Sequence, residues 1–129
     1  MVNVDGGARG NPGPAAIGAV ATADGTVIER RGEAIGRATN NVAEYRALLL
    51  GIALAEELGA SEVELVGDSE LIVKQVKGEY RVKDAALRQL HQQVRAALEG
   101  FERWSIRHVR REHNAEADRL VNETLDQPA

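Results

Sequence analysis

The first thirteen residues constrain the fold most strongly, because a short strand pattern runs directly into a stretch that breaks regular structure. Val2 and Val4 flank a polar residue, an alternation typical of a half-buried β-strand. Four glycines and a proline then fall within residues 5–13, and this composition predicts that the strand ends there. Asp5 is therefore predicted to lie at the C-terminal end of the strand, where open α/β sheets bind ligands. Taken alone, Asp5 could equally open a turn.

The chain of 129 residues is long enough for one domain with a buried core, and we expect a single domain over residues 1–129. The absence of cysteine excludes disulfide bonds and thiolate metal sites. No apolar run is long enough to span a membrane, and no charged and apolar leader precedes the first strand. We therefore expect a cytoplasmic protein without a membrane partner. Residues 127–129 are predicted to form a short tail.

The hydrophobic pattern predicts an α/β fold with the element order β-β-β-α-β-α-α-β-α. The predicted strands cover residues 2–4, 15–23, 27–35, 62–67 and 104–108. The predicted helices cover residues 41–58, 69–77 and 83–98, and a last helix starts at residues 113–114. For the first helix we predict a capping box, with Asn41 as the N-cap and Glu44 three residues later.

Four acidic residues occupy the ends of strands or the starts of helices. Asp5 and Asp68 each follow a predicted strand, and Glu44 and Asp118 each lie in the first turns of a helix. If the first and fourth strands are parallel neighbours, their carboxyl ends meet at one edge of the sheet. Each acid also has a purely structural interpretation, because capping and the helix dipole favour acids at these places. The coincidence of four such acids favours a shared site.

A shared site of this kind predicts a divalent cation. Crowded carboxylates repel one another and raise one another's pKa unless a cation lies among them. Oxygen ligands without cysteine select Mg²⁺ or Mn²⁺ rather than zinc. Two such ions, about 3.5–4 Å apart, activate a water and stabilise a leaving oxygen at phosphorus. The four acids therefore point to metal-assisted phosphodiester hydrolysis.

The charge distribution argues against a simple nucleic-acid-binding module, because the net charge is −4. Two groups of basic residues nevertheless lie in the second half of the chain. The first group contains Lys74, Lys77, Arg81, Lys83 and Arg88, and the second contains Arg103, Arg107, Arg110 and Arg111. Residues of this type usually form solvated faces.

Each of the four acids lies in a motif that resembles a motif of type 1 ribonuclease H. In chain order the motifs are Asp5-Gly-Gly-Ala-Arg-Gly-Asn-Pro-Gly13, Thr39-Asn-Asn-Val-Ala-Glu44, Gly67-Asp-Ser69 and Asn114-Ala-Glu-Ala-Asp118. The ordered set is highly specific, and the resemblance covers the whole chain. It implies a five-stranded mixed sheet with helices on both faces. It also implies an endonuclease that cleaves the RNA strand of an RNA–DNA hybrid.

The resemblance also implies roles for individual residues. The metal-binding and catalytic carboxylates would be Asp5, Glu44, Asp68 and Asp118, holding two Mg²⁺ ions, with Mn²⁺ able to substitute. Substrate binding would fall to Asn11, Asn40, Asn41, Ser69, Lys74 and Lys83. Among these, the three asparagines would contact the minor groove, where 2′-hydroxyl groups mark the RNA strand.

Two departures from the family pattern leave alternatives open. The basic segment at residues 74–83 is short, and Tyr80 is its one aromatic residue. His113 directly precedes Asn114, so the loop that often carries a catalytic histidine is shortened. His113 could protonate the leaving group or assist product release, or Arg110 or Arg111 could face the phosphates instead. A hybrid-binding module without catalysis and a nuclease acting on DNA or double-stranded RNA are the competing functions. We expect a monomer.

Overall fold

The computed structural model describes residues 1–127, and these residues form strands and helices in the predicted order. The strands are β1 (Val2–Ala8), β2 (Gly13–Ala23), β3 (Thr26–Ala38), β4 (Glu62–Gly67) and β5 (Arg103–His108). The helices are α1 (Asn40–Glu57), α2 (Glu70–Lys77), α3 (Ala85–Leu98) and α4 (Ala115–Asp126), with a 3-10 turn at Arg111–His113 before α4. Pro128 and Ala129, predicted to belong to the tail, lie outside the described residues.

The five strands form one mixed sheet in the order β3-β2-β1-β4-β5. The pairs β1–β2 and β2–β3 are antiparallel, whereas β1–β4 and β4–β5 are parallel. The parallel pairing of β1 with β4 joins only Val2 to Leu65 and Asn3 to Val66. Beyond these two pairs the strands separate, and Asp5 and Asp68 lie on either side of the opening. The first and fourth strands are therefore parallel neighbours, which is the condition under which their carboxyl ends meet.

Helices cover both faces of the sheet. Helix α1 packs on one face together with α3, and α4 packs on the other face against β1, β2 and β3. The core between these layers is built from valine, leucine, isoleucine and alanine side chains, with the fully buried Tyr45 as its largest member. Within residues 1–127, no helix combines the length and the apolar character that crossing a membrane would require.

Strand β1 is longer than predicted, because it continues through Asp5 and two glycines to Ala8. Antiparallel pairing with β2 includes Asp5 opposite Gly18 and extends to Ala8. The glycines allow close packing here and do not break the strand. A Cβ atom on Gly6 would collide with the backbone carbonyl of Ala43 in α1. The absence of a side chain at Gly6 thus lets the start of α1 lie directly on the strand.

The predicted capping box of the first helix is also wrong. The N-cap of α1 is Thr39, whose hydroxyl oxygen accepts a hydrogen bond of 3.2 Å from the backbone N–H of Val42. Asn41 therefore lies inside the helix, and Glu44 is free to point elsewhere. Helix α3 likewise starts two residues later than predicted, at Ala85, because Asp84 is its N-cap and accepts from the N–H of Leu87.

Candidate active site

Three of the predicted acids converge at the opening between β1 and β4. Asp5 is contributed by β1, Glu44 by the first turns of α1, and Asp68 by the residue after β4. One carboxylate oxygen from each lies within 4.8 Å of the other two. Asp5 is buried, and Glu44 and Asp68 are half-buried. The sheet and one helix therefore form a compact acidic triad.

The position of Glu44 depends on the strand that it faces. Its Oε1 atom accepts a hydrogen bond of 3.2 Å from the backbone N–H of Gly6. This bond replaces the predicted capping bond at the helix start. Because α1 lies directly on Gly6, the carboxylate of Glu44 reaches over the strand towards Asp5.

The electrostatic cost of this arrangement appears in the titration of the acids. Burial, with a further contribution from the negative charge of Asp68, raises the pKa of Asp5 to about 7. Burial and the negative charge of Asp5 raise the pKa of Glu44 well above its ordinary value. In both residues the surroundings disfavour the ionised carboxylate. The charged triad is therefore unfavourable unless a cation neutralises it.

The fourth acid, Asp118, reaches the same cavity from α4. The buried side chain of Asn114, at the start of this helix, donates to the carbonyl of Val4 at 2.8 Å and accepts from the side-chain amide of Asn3 at 3.0 Å. These two bonds fix the start of α4 to β1. One oxygen of Asp118 accepts from the guanidinium of Arg111 at 3.1 Å, and this hydrogen bond raises the pKa of Arg111.

The four acids line an open cavity of about 460 Å³. Its polar lining includes the predicted substrate-binding residues Asn40, Asn41 and Ser69. The wall also contains residues that we did not assign to the site from the sequence, namely Arg9, Val121, Asn122 and Leu125. Val121, Asn122 and Leu125 lie three, four and seven residues after Asp118 on α4, and this spacing could have indicated that they share a helix face with it.

The asparagines connect the glycine-rich turn to the start of α1. The side-chain oxygen of Asn11 accepts from the backbone N–H of Asn40 at 3.0 Å. The side-chain oxygen of Asn40 accepts from the backbone N–H of Ala8 at 2.8 Å. Asn40 therefore keeps its side-chain NH₂ group available as a donor, and Asn41 presents its amide on the cavity wall. Ser69 caps α2 by accepting from Ile72.

Asn11, which bonds to Asn40, is not part of the cavity wall, and three further predicted residues also lie outside this cavity. His113 is exposed in the 3-10 turn and lines a separate hollow with Glu112 and Glu116. Lys74 forms an ion pair of 2.8 Å with Glu70. Lys83 lines a groove beyond α2. The structure thus brings the four acids, two of the asparagines and Ser69 together, but it does not bring His113 or the two lysines to them.

The donor set of the triad fits a hard divalent cation. Mg²⁺ binds oxygen ligands at about 2.0–2.1 Å, so ligands on opposite sides of one ion are separated by about 4 Å. The oxygens of Asp5, Glu44 and Asp68 lie within 4.8 Å of one another, which is near this separation and makes them a group that could hold an ion. The raised pKa values of Asp5 and Glu44 agree with this assignment, because a bound cation favours the ionised carboxylates.

The chain is similar in sequence and structure to known proteins. A family model described as reverse transcriptase-like matches residues 3–124. Ribonuclease HI of Halobacterium salinarum is 48% identical over 123 residues, which cover 95% of this chain. The crystal structure of RNase H1 from this archaeon has a TM-score of 0.94 at 47% identity, covering 97% of this chain and 96% of that one. LC11-RNase H1 in complex with an RNA/DNA hybrid has a TM-score of 0.92 at 41% identity, covering 97% and 95% of the two chains.

The curated relatives are longer than this chain. The bifunctional protein Rv2228c of Mycobacterium tuberculosis is 47% identical over 131 residues, which cover 100% of this chain but 36% of that protein. The chain likewise spans 62% of the length of the Halobacterium salinarum protein. Sequence identity and structural similarity nevertheless extend over nearly the whole of this chain. The chain therefore belongs to the type 1 ribonuclease H family, and its five-stranded mixed sheet has the ribonuclease H-like fold.

Proposed function

We propose that this protein is an endonuclease that hydrolyses the RNA strand of RNA–DNA hybrids with the help of two Mg²⁺ ions, for which Mn²⁺ can substitute. The observation that carries the proposal is the convergence of Asp5, Glu44 and Asp68 within 4.8 Å, in an open cavity with asparagine amides on its wall. Two similarities support it: one relative is named Ribonuclease HI, and LC11-RNase H1 is described in complex with an RNA/DNA hybrid.

In this proposal the chain supplies the carboxylates and their fixed positions. Asp5, Glu44 and Asp68 would hold the ions, and Asp118 would complete the site from α4. Bound ions supply Lewis acidity and lower the pKa of a coordinated water. The contribution of the protein is preorganisation, because β1, α1 and β4 hold the carboxylates in place before substrate arrives.

The asparagines would distinguish the two strands of the hybrid. Phosphate contacts carry no information about the sugar, so discrimination requires contact with the 2′-hydroxyl. The side-chain NH₂ of Asn40 is a donor to such a hydroxyl, while its oxygen is already bonded to Ala8. Asn41 offers both a donor and an acceptor on the cavity wall. Because Asn40 and Asn41 lie in the same helix as Glu44, sugar recognition and metal binding share one rigid element.

In this proposal Arg111, rather than His113, faces the phosphates of the substrate. Its guanidinium lies on the cavity wall beside Asp118 and is largely exposed, whereas His113 lines a different hollow. In this proposal Arg111 contacts a phosphate oxygen of the substrate. Arg111→Gln should then lower kcat by roughly tenfold to a hundredfold, the worth of one charged hydrogen bond. The matched variant His113→Gln should leave kcat within twofold; the opposite result would restore the role predicted for His113.

The proposed activity can be tested with four labelled substrates: an RNA–DNA hybrid, double-stranded RNA, double-stranded DNA and single-stranded RNA. Each is incubated with Mg²⁺, Mn²⁺ or EDTA. We expect cleavage of the RNA strand of the hybrid with either metal and no cleavage in EDTA. Comparable cleavage of double-stranded RNA would show that the sugar is read on one strand only. Binding of the hybrid without cleavage in either metal would instead identify a binding module.

A further inference from the structure

A buried polar contact lies behind the acidic triad, where α1 meets α2. The hydroxyl of Tyr45 in α1 donates a hydrogen bond of 2.6 Å to the Oε1 atom of Gln75 in α2. Tyr45 is fully buried, and Gln75 is 6% exposed. Among the described residues, the other buried polar or charged side chains are Asp5 and Asn114, and both already have a place at the site. The buried amide of Gln75 therefore remains to be explained.

Gln75 also lies where α2 is fastened to α3. The Nε2 atom of His91 donates to the backbone oxygen of Gln75 at 2.9 Å, and the guanidinium of Arg95 donates to the backbone oxygen of Val76 at 2.6 Å. Both carbonyls belong to the last turn of α2, where backbone oxygens lack the helical partner four residues on. The ring of His91 packs edge-on against Tyr45. Three helices thus meet at this contact.

Tyr45 directly follows Glu44, so two consecutive residues anchor the start of α1 to different elements. Glu44 accepts from the backbone N–H of Gly6 in β1 at 3.2 Å, and Tyr45 donates to Gln75 in α2. Successive side chains of an α-helix point about 100° apart around its axis. Because the two anchors act in different directions, together they fix the rotation of α1 about its axis. That rotation determines whether the carboxylate of Glu44 reaches Asp5.

The same contact is connected to the third acid of the triad through α2. Asp68 immediately precedes Ser69, the N-cap of α2, whose side chain accepts from the N–H of Ile72 at 3.4 Å. Gln75 lies three residues after Ile72 in this helix of eight residues. Because α2 has only about two turns, a displacement at Gln75 is carried to its N-terminal end. A shift of α2 against α1 would therefore move Asp68 relative to Glu44.

A hydrogen bond fills this buried space in a particular way. A buried hydroxyl and amide add little net stability, since both give up bonds to water, and apolar side chains of similar shape can replace such a pair at little cost. Unlike apolar packing, however, the bond is favourable only over a narrow range of distance and angle. The contact between Tyr45 and Gln75 is therefore better suited to fixing geometry than to adding stability.

We propose that Tyr45 and Gln75 are positioning residues, whose hydrogen bond holds α1 and α2 so that Glu44 and Asp68 can bind the same metal ion. Neither residue lines the cavity, so each acts through its helix and not by contact with the ion or the substrate. The inference rests on the proposed function for the presence of the ion. It predicts an effect on metal binding before any substrate is bound.

The test compares Tyr45→Phe, Gln75→Met and the double variant. Each single substitution leaves one member of the buried pair without its partner, whereas the double substitution removes both polar groups. The Kd for Mn²⁺ is measured without nucleic acid, from the EPR signal of the free ion. The midpoint of urea unfolding is measured in EDTA. Ile52→Val, which removes one methyl group from another buried side chain of α1, is the matched control.

We expect each single variant to lower the urea midpoint and to raise the Kd for Mn²⁺ about threefold to tenfold. This is below the roughly tenfold to hundredfold loss that follows when a residue bonded directly to a metal ligand is changed. The double variant should regain most of the midpoint but keep the raised Kd, because packing is restored without the directional bond. Ile52→Val should lower the midpoint and leave Kd within twofold of the wild type.

Activity gives a second measurement. With saturating Mg²⁺ and hybrid, the kcat of the three variants should stay within twofold of the wild type. The Mg²⁺ concentration that gives half the maximal rate should rise by the same factor as the Kd for Mn²⁺. A fall in kcat at saturating metal, with Kd unchanged, would contradict a role in metal binding.

A Kd that returns to the wild-type value together with the midpoint in the double variant would overturn the proposal, because the pair would then act only in packing. An unchanged Kd in Tyr45→Phe would overturn it as well. This variant keeps the ring and the bond of 3.4 Å from Gln75 to the carbonyl of Arg81, and it supplies the test if Gln75→Met folds poorly. A wild-type protein that binds Mn²⁺ without cleaving the hybrid would refute the proposed function alone, since Kd is measured without substrate. A wild-type protein that binds no Mn²⁺ would overturn both.

Discussion

The acidic triad and the link between α2 and α3, residues 78–84, are held in place by different means. The triad is positioned by the main chain of regular elements, because β1, α1 and β4 carry its members directly. Residues 78–84 have an irregular backbone, and hydrogen bonds from the side chains of Gln75 and Arg88 hold its conformation. Regular elements give a position that a single surface substitution cannot move. A clamped loop gives a position that one substitution can release.

The two regions also differ in the cost of their charges. The triad places like charges in a buried site, and the pKa of Asp5 rises to about 7 as a result. The cations in residues 78–84, Arg81 and Lys83, are exposed to water, where charge repulsion is weak. Substitutions in the triad should therefore alter chemistry and stability strongly, whereas substitutions in the segment should alter binding modestly.

The largest effect is expected from Asp5→Asn. Loss of a carboxylate that we propose binds the metal should lower cleavage of a hybrid by about a thousandfold or more, equivalent to roughly 4 kcal/mol in the barrier. The same change relieves repulsion, so the metal-free variant should unfold at a temperature at least as high as that of the wild type. Activity and thermal unfolding in EDTA measure the two quantities. Asp24→Asn, an exposed acid in the β2–β3 turn, is the matched control, and a sharp drop in melting temperature would show that Asp5 is structural.

A smaller effect is expected on the stability of the metal-free protein as the pH changes. The pKa of Asp5 is about 7 in the folded protein against an ordinary value of 3.8. Between these values the folded state keeps a proton that the unfolded state has released, so stability falls as the pH rises from about 4 to about 7. The loss should be roughly 2–4 kcal/mol. Urea unfolding in EDTA at a series of pH values measures it.

Two controls sharpen this result. Asp5→Asn should reduce the slope of the pH profile, because one titrating carboxyl is gone and the negative charge that helps to raise the pKa of Glu44 is removed with it. Millimolar Mg²⁺ should raise stability near pH 7, since a ligand that binds only the folded state stabilises it. A profile that keeps its slope in Asp5→Asn would assign the effect to other groups.

The next effect in size is expected on the cleavage rate, when recognition of the sugar is altered. A hybrid with one deoxynucleotide near the cut should be cleaved roughly tenfold to a hundredfold more slowly there, because an amide left unpaired costs about 1–3 kcal/mol. Asn41→Ala should erase most of this discrimination and also lower activity on the all-RNA strand. Single-turnover cleavage of the two substrates gives the ratio. Full discrimination in both Asn40→Ala and Asn41→Ala would leave these residues as a turn and a helix start.

The smallest effect is expected on binding of the hybrid, when the lysines of residues 74–83 are replaced. Lys83→Ala should weaken binding to all hybrid sequences alike and make the salt dependence shallower by about one unit of slope. Lys74→Ala should change the slope less, because Lys74 is already paired with Glu70 at 2.8 Å. Anisotropy titrations at several salt concentrations compare the two. Equal and unchanged slopes would make both lysines ordinary surface residues.

The sequence predicted well what depends on local pattern. The element order and the neighbourhood of Asp5 and Asp68 follow from hydrophobic periodicity and from the ends of parallel strands. The errors arose where a local rule met a long-range contact. Glycines predicted to end β1 instead allow α1 to lie on Gly6. Glu44, predicted to cap its own helix, bonds to that strand.

The side-chain hydrogen bonds that hold residues 78–84 had no comparable signal in the sequence. Gln75 lies in a helix whose apolar pattern predicts only that it packs on the core, and its two partners are Tyr45 and the carbonyl of Arg81. Such contacts depend on side-chain directions after the helices have packed. The catalytic and substrate-binding roles of individual residues stay predictions, and the variants described above test them.

Asp118 is carried by α4, so local unfolding of α4 would displace it separately from the triad. Helix α4 lies on the opposite face of the sheet from α1, and its start is fastened to β1 through the two side-chain bonds of Asn114. Breaking these bonds releases one helix end and withdraws the fourth carboxylate, while the sheet and the other three acids stay intact. Amide hydrogen exchange should accordingly show α4 opening at a lower free energy than β1 and β4. Opening of α4 alone would therefore remove the fourth carboxylate from the cavity without disturbing the framework that carries the other three.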